Sequence, residues 1–362
     1  MLEIRNNFSK NTLYYCAANP KMGSRLATHA GSWYTGNASR LEAQLSQLFE
    51  QAKENKASLT EDQDCSKVVK GARVLIGPHA GYLFSASRLA ETFNVWDTSK
   101  VKRVFILGPS HHVYFKNYAM ISQFDNYETP LGLLPVDKLV CQHLATLTRS
   151  SGKSATFKYM SLEVDEDEHS FEMHAPLLYY RSRNLPQGVP KIIPIMISGM
   201  DDAFREDLVS ALTPFFQDEE NTFVISSDFC HWGSRFGYTE YLEKKPEGRI
   251  SFEDLISLRP YSKVLPSSFP IHQSISYLDK TAMQIASTGS QKAWKDYIYN
   301  TGNTICGQKP IEIVLSLLEK HNESKSSVEF NKGFFWIGYS QSSEVTRPDD
   351  SSVSYASGFA IC

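Results

Sequence analysis

The chain has 362 residues, of which 41% are hydrophobic and 21% charged, and 37 Lys and Arg against 40 Asp and Glu give a net charge of -3. This near balance leaves no electrostatic footprint for nucleic acid or an anionic membrane, and no apolar run approaches the roughly 20 residues that insert across a bilayer. The six cysteines, Cys16, Cys65, Cys141, Cys230, Cys306 and Cys362, are scattered without a repeating framework. That pattern fits free thiols in the cytoplasm, with the nucleus as a second compartment, better than a secreted disulfide scaffold.

Residues 1–24 read as a poorly ordered extension, with one arginine, Arg5, and too little helical periodicity for a transit segment. Residues 25–362 read as one domain. Leu41, Leu45, Leu48 and Phe49 share one helical face, and residues 53–70 form a polar loop. Val74, Leu75 and Ile76 predict a strand that ends in Gly77-Pro78-His79-Ala80-Gly81-Tyr82, with a helix starting near Ser85. A second apolar run, Val104 to Leu107, is stopped by Gly108-Pro109-Ser110 and followed at once by His111 and His112. Such a run bounded by Gly-Pro predicts a buried strand of a parallel sheet.

Residues 118–124 predict a strand and 136–147 a helix. The stretch MSLEVDEDEHSFEMHAP at 160–176 reads as a solvated acidic loop near the mouth of a site; Glu166 and His169 have the E-x-x-H spacing, without a second copy. Residues 192–197 are a strand, and Phe204, Leu208, Leu212 and Phe215 mark a helix. Phe223, Val224 and Ile225 form a third apolar strand, ending in Ser226-Ser227-Asp228-Phe229-Cys230-His231-Trp232. Residues 240–269, charged and Pro-containing, read as a surface excursion. Helices follow at 271–285, 294–299 and 310–318, and strands at 334–339 and 353–361. Strands alternating with helices predict an α/β layered domain with a central, mostly parallel sheet.

The candidate chemistry lies at the strand ends. His79, His111 and His231 each follow an apolar strand, where open α/β sheets keep their ligands. Three histidines in equivalent places predict a shared site. Asp228 either fixes the tautomer of His231 or caps the turn it sits in. Cys306 follows a polar turn before a helix; it is a small buried hydrophobe or, near a helix start, a thiolate of lowered pKa. No Walker loop, G-x-G-x-x-G or G-x-S-x-G motif occurs.

The stretches THAGSWYT, GPHAGY, FILGPSHH, DEDEHSFEMHAP, SSDFCHWG, NTICG and DSSVSYASG, from Thr28 to Gly358, resemble the Memo family, mediators of ErbB2-driven cell motility. Residues 240–269 resemble the longer form of fungal members. The resemblance implies a single α/β domain similar to class III extradiol dioxygenases, whose metal is nonheme iron. It implies metal ligation by His79, His111 and Cys306, with His231 at the dioxygenases' catalytic histidine and Asp228 beside it. Those dioxygenases carry a carboxylate where this chain has Cys306, a softer donor set that suits copper, zinc or a thiolate-bound iron.

The reading that follows is a metal-binding redox protein with one copper or iron ion per chain, working in motility, the cytoskeleton or invasive-growth signalling with signalling or cytoskeletal protein partners. His231 and Asp228 are its candidate catalytic residues. The rivals are a non-catalytic adaptor whose pocket binds a phosphopeptide or partner, and an extradiol-type dioxygenase of a small aromatic.

Overall fold

A computed structural model describes residues 22–362 apart from 55–58, 60–62, 153, 247, 266 and 325–332. The expectations for residues 1–21 and part of the 53–70 loop lie outside the described residues. The main sheet has nine strands. In spatial order they are His231–Trp232, Ser352–Ile361, Ala72–Gly77, Asn221–Ser226, Arg103–Pro109, Lys191–Ile197, Ala119–Ile121 and Phe157–Tyr159, with Phe335–Gln341 also paired to Ser352–Ile361. The middle four run parallel, with Val74 opposite Phe223, Phe105 opposite Phe223, and Phe105 opposite Ile193. The Ser352–Ile361 strand joins one side antiparallel, and Ala119–Ile121 joins the other. Val74, Leu75, Ile76, Val104, Phe105, Ile106, Phe223, Val224 and Ile225 are all fully buried. Burial on both faces is why these strands are continuous apolar runs rather than alternating ones.

Helices flank the sheet. Ala38–Lys53 buries Leu41, Leu45, Phe49 and Ala52 and packs on Tyr82–Asn94 and Ala175–Ser182. Asn37 caps its first turn, accepting from the Arg40 backbone N–H at 3.0 Å. Asp202–Gln217 packs against Gln308–Ser324, which in turn meets Gln291–Thr301. Among the described residues no helix is long and apolar enough to cross a membrane. Tyr82–Asn94 begins three residues before the Ser85 start expected from sequence. Gly81 takes the cap, and the Ser85 hydroxyl, already inside the first turn, donates back to the Ala80 carbonyl at 2.6 Å.

The acidic stretch is not a solvated loop. It folds into the short helices Leu162–Asp167 and His169–Glu172, leading into Ala175–Ser182. Asp165, Glu168, Glu172 and His174 are buried. The reason is Arg25, itself fully buried. Its guanidinium has five N–H donors, and each finds an acceptor. Nε donates to Asp165 O at 2.8 Å, Nη1 to Glu172 Oε2 at 2.7 Å and Leu26 O at 2.9 Å, and Nη2 to Glu166 O at 3.0 Å and Glu168 O at 2.9 Å. Buried charge is tolerated only when paired and hydrogen-bonded; Arg25 meets both conditions for Glu172 and ties down the carbonyls of Asp165, Glu166 and Glu168. Ser24–Arg25 is held in turn as a short strand parallel to Asn126–Tyr127.

Within 240–269, Glu240–Leu242 pairs antiparallel with Leu255–Ser257. Tyr241, Leu242, Ile250, Leu255 and Leu258 are buried. The Tyr241 hydroxyl donates to the Phe269 carbonyl and the Leu242 N–H to Ser274 Oγ, so this segment is stitched to the helix Ile271–Ser287.

Candidate functional site

The carboxyl ends of three adjacent parallel strands, Ala72–Gly77, Asn221–Ser226 and Arg103–Pro109, converge on one pocket. His79 lies two residues beyond the first, Asp228 two beyond the second and His111 two beyond the third. Each apolar run ends because the chain turns, and each turn delivers its first polar side chain to the same rim.

Hydrogen bonds fix how these side chains face one another. Ser226 Oγ donates its only proton to the Ser170 carbonyl at 2.6 Å. It can therefore only accept from His79 Nδ1, 2.8 Å away. The His79 proton is on Nδ1, and Nε2 keeps a free lone pair. His111 Nδ1 lies 2.8 Å from Glu168 Oε1, whose carboxylate also accepts the His111 backbone N–H on Oε2 at 2.8 Å. His231 Nδ1 faces two carbonyls, Phe229 O at 2.9 Å and Thr304 O at 3.2 Å. Both partners accept only, so His111 and His231 also carry a proton on Nδ1, and Nε2 is the ring nitrogen left outside these hydrogen bonds. His29 repeats the arrangement, with Nδ1 2.9 Å from Glu172 Oε2. This is the orientation that metal-ligating histidines ordinarily take from a neighbouring carboxylate or carbonyl.

Cys306 enters from the turn before Gln308–Ser324, 227 residues along the chain from His79. Its Sγ lies 3.2 Å from His79 Nε2 and accepts the Asp228 backbone N–H at 3.2 Å. The approach depends on Gly307: a Cβ there would sit 2.3 Å from Ser227 Cβ and 2.9 Å from Ser226 O, a separation that packed atoms do not reach. The Gly307 N–H also donates to Ser227 Oγ at 3.0 Å. Asp228 is buried; its Oδ1 accepts the His79 backbone N–H at 2.8 Å, and Oδ2 lies 4.0 Å from His79 Nε2.

The electrostatics split by partner. Burial would raise the Glu168 carboxyl, but the hydrogen bond and charge of His111, with His169, hold it at about 2. Burial pushes Asp228 up to about 7, against the hydrogen bonds from the His79 and Ala80 backbone. His79 is depressed well below the usual imidazole range, by burial first and then by His111 and the neighbouring histidines. His231 is lowered for the same leading reason. For Cys306 the two sequence readings part here. Burial and the nearby Asp228 carboxyl push its thiol well above the ordinary range, so the helix start does not make it a thiolate. A cation entering the pocket must displace that proton, which couples binding to pH.

One member is not apparent from the sequence. His169, from the acidic stretch, places its ring centroid 4.2 Å from that of His111 and 5.3 Å from that of His79. One ring nitrogen from each of His79, His111 and His169 lies within 4.8 Å of the others, a group able to hold a metal ion. Gly108 admits this segment, since a Cβ there would lie 2.5 Å from Ser170 Oγ. Its E-x-x-H spacing was the only signal in the sequence. His112 is exposed, with its ring 6.2 Å from that of His169. Trp33 packs its ring 4.6 Å from His169 and edge-on to His29.

Comparison with known proteins agrees with this architecture. The family description "Memo-like protein" matches residues 25–359. The chain is 40% identical over 349 residues to the MEMO1 family protein MHO1 of Saccharomyces cerevisiae, covering 93% of this chain and 99% of that one. It is 40% identical over 337 residues to the MEMO1 family protein C4H3.04c of Schizosaccharomyces pombe, covering 93% and 98%. Protein MEMO1 of Rattus norvegicus is 34% identical over 336 residues, covering 92% and 96%. With a family match along nearly all of the described chain and relatives aligned over almost their full lengths, this chain belongs to the Memo family.

Proposed function

We propose that the pocket is the redox centre of a Memo-like metal protein, holding one copper or iron ion per chain through His79, His111 and Cys306, and that this centre serves a role in motility, the cytoskeleton or invasive-growth signalling. The observation that carries the reading is the uniform tautomer of the strand-end histidines. His79, His111 and His231 all place the proton on Nδ1, against Ser226, Glu168 and backbone carbonyls respectively. A lone pair at Nε2 of His79, 3.2 Å from the Cys306 sulfur, is already near the spacing of about 3.5 Å that two donors on one ion require. Two imidazoles and a sulfur fit copper or a thiolate-bound iron.

When bound, the ion supplies one-electron chemistry and Lewis acidity. The chain's own residues do the rest. Ser226 and Glu168 orient the two imidazoles. His231, tied to the Thr304 and Phe229 carbonyls, offers Nε2 as a proton acceptor, and Asp228, whose backbone N–H donates to the Cys306 sulfur, stores a proton near neutral pH.

The test is anaerobic titration of the metal-free protein with Cu(I) against a chelator of known affinity. The parent should bind one equivalent. Cys306→Ser should weaken Cu(I) by about 10-fold or more, since a hydroxyl is a poor soft donor. His231→Gln should retain one equivalent. Equal Cu(I) affinity in the parent and Cys306→Ser removes Cys306 from the ligand set. A lost equivalent in His231→Gln moves His231 into it.

A further inference from the structure

We propose that the ion has a second seat, made of His79, His111 and His169, which takes a divalent cation such as Zn(II), Co(II) or Cu(II), while the seat containing Cys306 takes Cu(I). The inference rests on the reading of this pocket as a metal site and adds a ligand, His169, together with a division of labour between donor sets that share His79 and His111.

Three observations carry it. First, one nitrogen from each of the three rings already lies within 4.8 Å of the others. A tetrahedral ion at 2.0–2.1 Å from each would space them about 3.3 Å apart, so a closure of about 1.5 Å or less completes the seat. Second, the His169 ring is less committed than those of the other histidines in and beside this group that have a hydrogen-bonded Nδ1. His79, His111, His231 and His29 each have Nδ1 engaged by an oxygen within 3 Å. Among the described residues no hydrogen bond engages the His169 ring, and the nearest carboxylate oxygen, Glu168 Oε1, is 3.7 Å from its Nδ1. The ring is nevertheless largely enclosed, with 12% of the side chain exposed, and is fixed in place by Trp33 on one side and His111 on the other. An enclosed imidazole held by no hydrogen bond among the described residues, with only the 3.7 Å ion-pair contact of Nδ1 to Glu168 and its ring beside those of His111 and His79, is poised to ligate. Third, the donor chemistry separates the seats. Imidazoles suit Zn(II) and Cu(II), whereas a sulfur donor selects Cu(I). Because His79 belongs to both sets, one ion excludes the other.

The test uses the full-length protein, stripped of metal, titrated anaerobically with Co(II) and read by its absorption spectrum, and separately with Cu(I) against a chelator. His169→Gln keeps a polar side chain of similar bulk and removes the imidazole. It should weaken Co(II) by about tenfold or more and leave Cu(I) within about threefold of the parent. Cys306→Ser should do the reverse, and the parent's Co(II) spectrum should lack a thiolate charge-transfer band. Cu(I) added to the Co(II) form should release Co(II) one for one. Co(II) affinity within about threefold of the parent in His169→Gln, or a charge-transfer band that disappears in Cys306→Ser, overturns the second seat and leaves the first standing. Failure of the parent to bind either metal stoichiometrically overturns the metal reading itself. Should His169→Gln fail to fold, the unmodified protein gives the answer: with Zn(II), the His169 ring nitrogen must show the large ¹⁵N shift of a ligated imidazole, and an unshifted signal refutes ligation.

Discussion

The pocket has two walls built on opposite electrostatic plans. The wall carrying His29, His111 and His169 rests on carboxylates kept ionised, with Glu168 and Glu172 both held at about 2 despite burial. Their partners are histidine N–H groups and, for Glu172, the fully buried Arg25. The wall carrying Cys306 and His231 rests on carboxyls pushed the other way. Asp228 rises to about 7 and Asp279 to about 6, burial being the leading cause for each. Asp279 Oδ1 accepts from the Cys230 N–H and from Asn303 Nδ2, both at 3.2 Å, and Oδ2 accepts from Tyr339 at 2.9 Å. Those donors are neutral. Glu168 and Glu172 are held low where histidine N–H groups or Arg25 reach them, and Asp228 and Asp279 are raised where the hydrogen bonds come from backbone, amide and hydroxyl donors. Asp165 is the exception. It lies 3.4 Å from Arg25 Nε and is nonetheless raised, with Oδ2 lacking any partner. Proximity to one cation does not offset desolvation when half of the carboxylate is left unsolvated.

Four substitutions probe this contrast. The largest effect belongs to Arg25→Met, which strands Glu172 as a buried charge and frees the carbonyls of Asp165, Glu166 and Glu168. Unfolding in urea should show a loss of about 3–5 kcal/mol. A loss below about 1 kcal/mol would mean that the charged wall does not depend on its cation.

Asp279→Asn should act through pH. Asp279 titrates at about 6 in the folded protein against an ordinary 3.8. Below pH 3.8 both states keep the proton and the group is silent. Between 3.8 and 6 the unfolded chain ionises first, so the native state loses stability as pH rises, by about 1.4 kcal/mol per unit and about 3 kcal/mol in total. Above 6 the loss is constant. Asn cannot ionise, so this downward slope should vanish in the variant. Parallel stability curves for parent and variant between pH 4 and 6 would acquit Asp279.

Glu168→Gln keeps the shape of the His111 support and removes its charge. Metal affinity should fall about 10–100-fold, the usual effect of losing a carboxylate behind a ligating histidine. Calorimetric titration reads this directly, and an unchanged affinity would show that orientation alone matters on the charged wall. The smallest change is expected for Ser226→Ala, which removes one neutral relay between His79 and the Ser170 carbonyl. It should destabilise by about 1 kcal/mol, seen as a modest drop in midpoint temperature. A drop as large as that of Arg25→Met would erase the distinction between charged and neutral supports.

Much of the frame was legible because it is written locally. The apolar runs before Gly77, Gly108 and Ser226 have the length and punctuation of buried parallel strands, and a strand's end fixes where the next polar side chains emerge. His79 and His111 could be grouped on that ground alone. Cys306 could not, as a cysteine before a helix has no periodic signature; only its resemblance to a family motif singled it out. His169 was hidden for a different reason. It stands in a run of five acids and histidines whose local chemistry suits water. What buries that run is Arg25, some 140 residues earlier, and no local pattern records a partner so distant. The two readings of the Cys306 thiol stayed open for the same kind of reason. The helix start is local and visible, whereas the depth of the pocket and Asp228 beside it are products of the fold.

The shared tautomer of the histidines has a consequence for what the pocket refuses. At His79, His111 and His231 the ring proton faces outward into the scaffold, and the backbone N–H of each is already engaged, by Asp228, Glu168 and Thr304 respectively. At each of the three, the Nδ1 proton and the backbone N–H are both spent inside the scaffold. A phosphate or carboxylate arriving without a cation would meet lone pairs at these positions, where an anion-binding cradle needs donors. The preference rests on proton placement rather than on size: these three positions are better suited to a cation than to a bare anion.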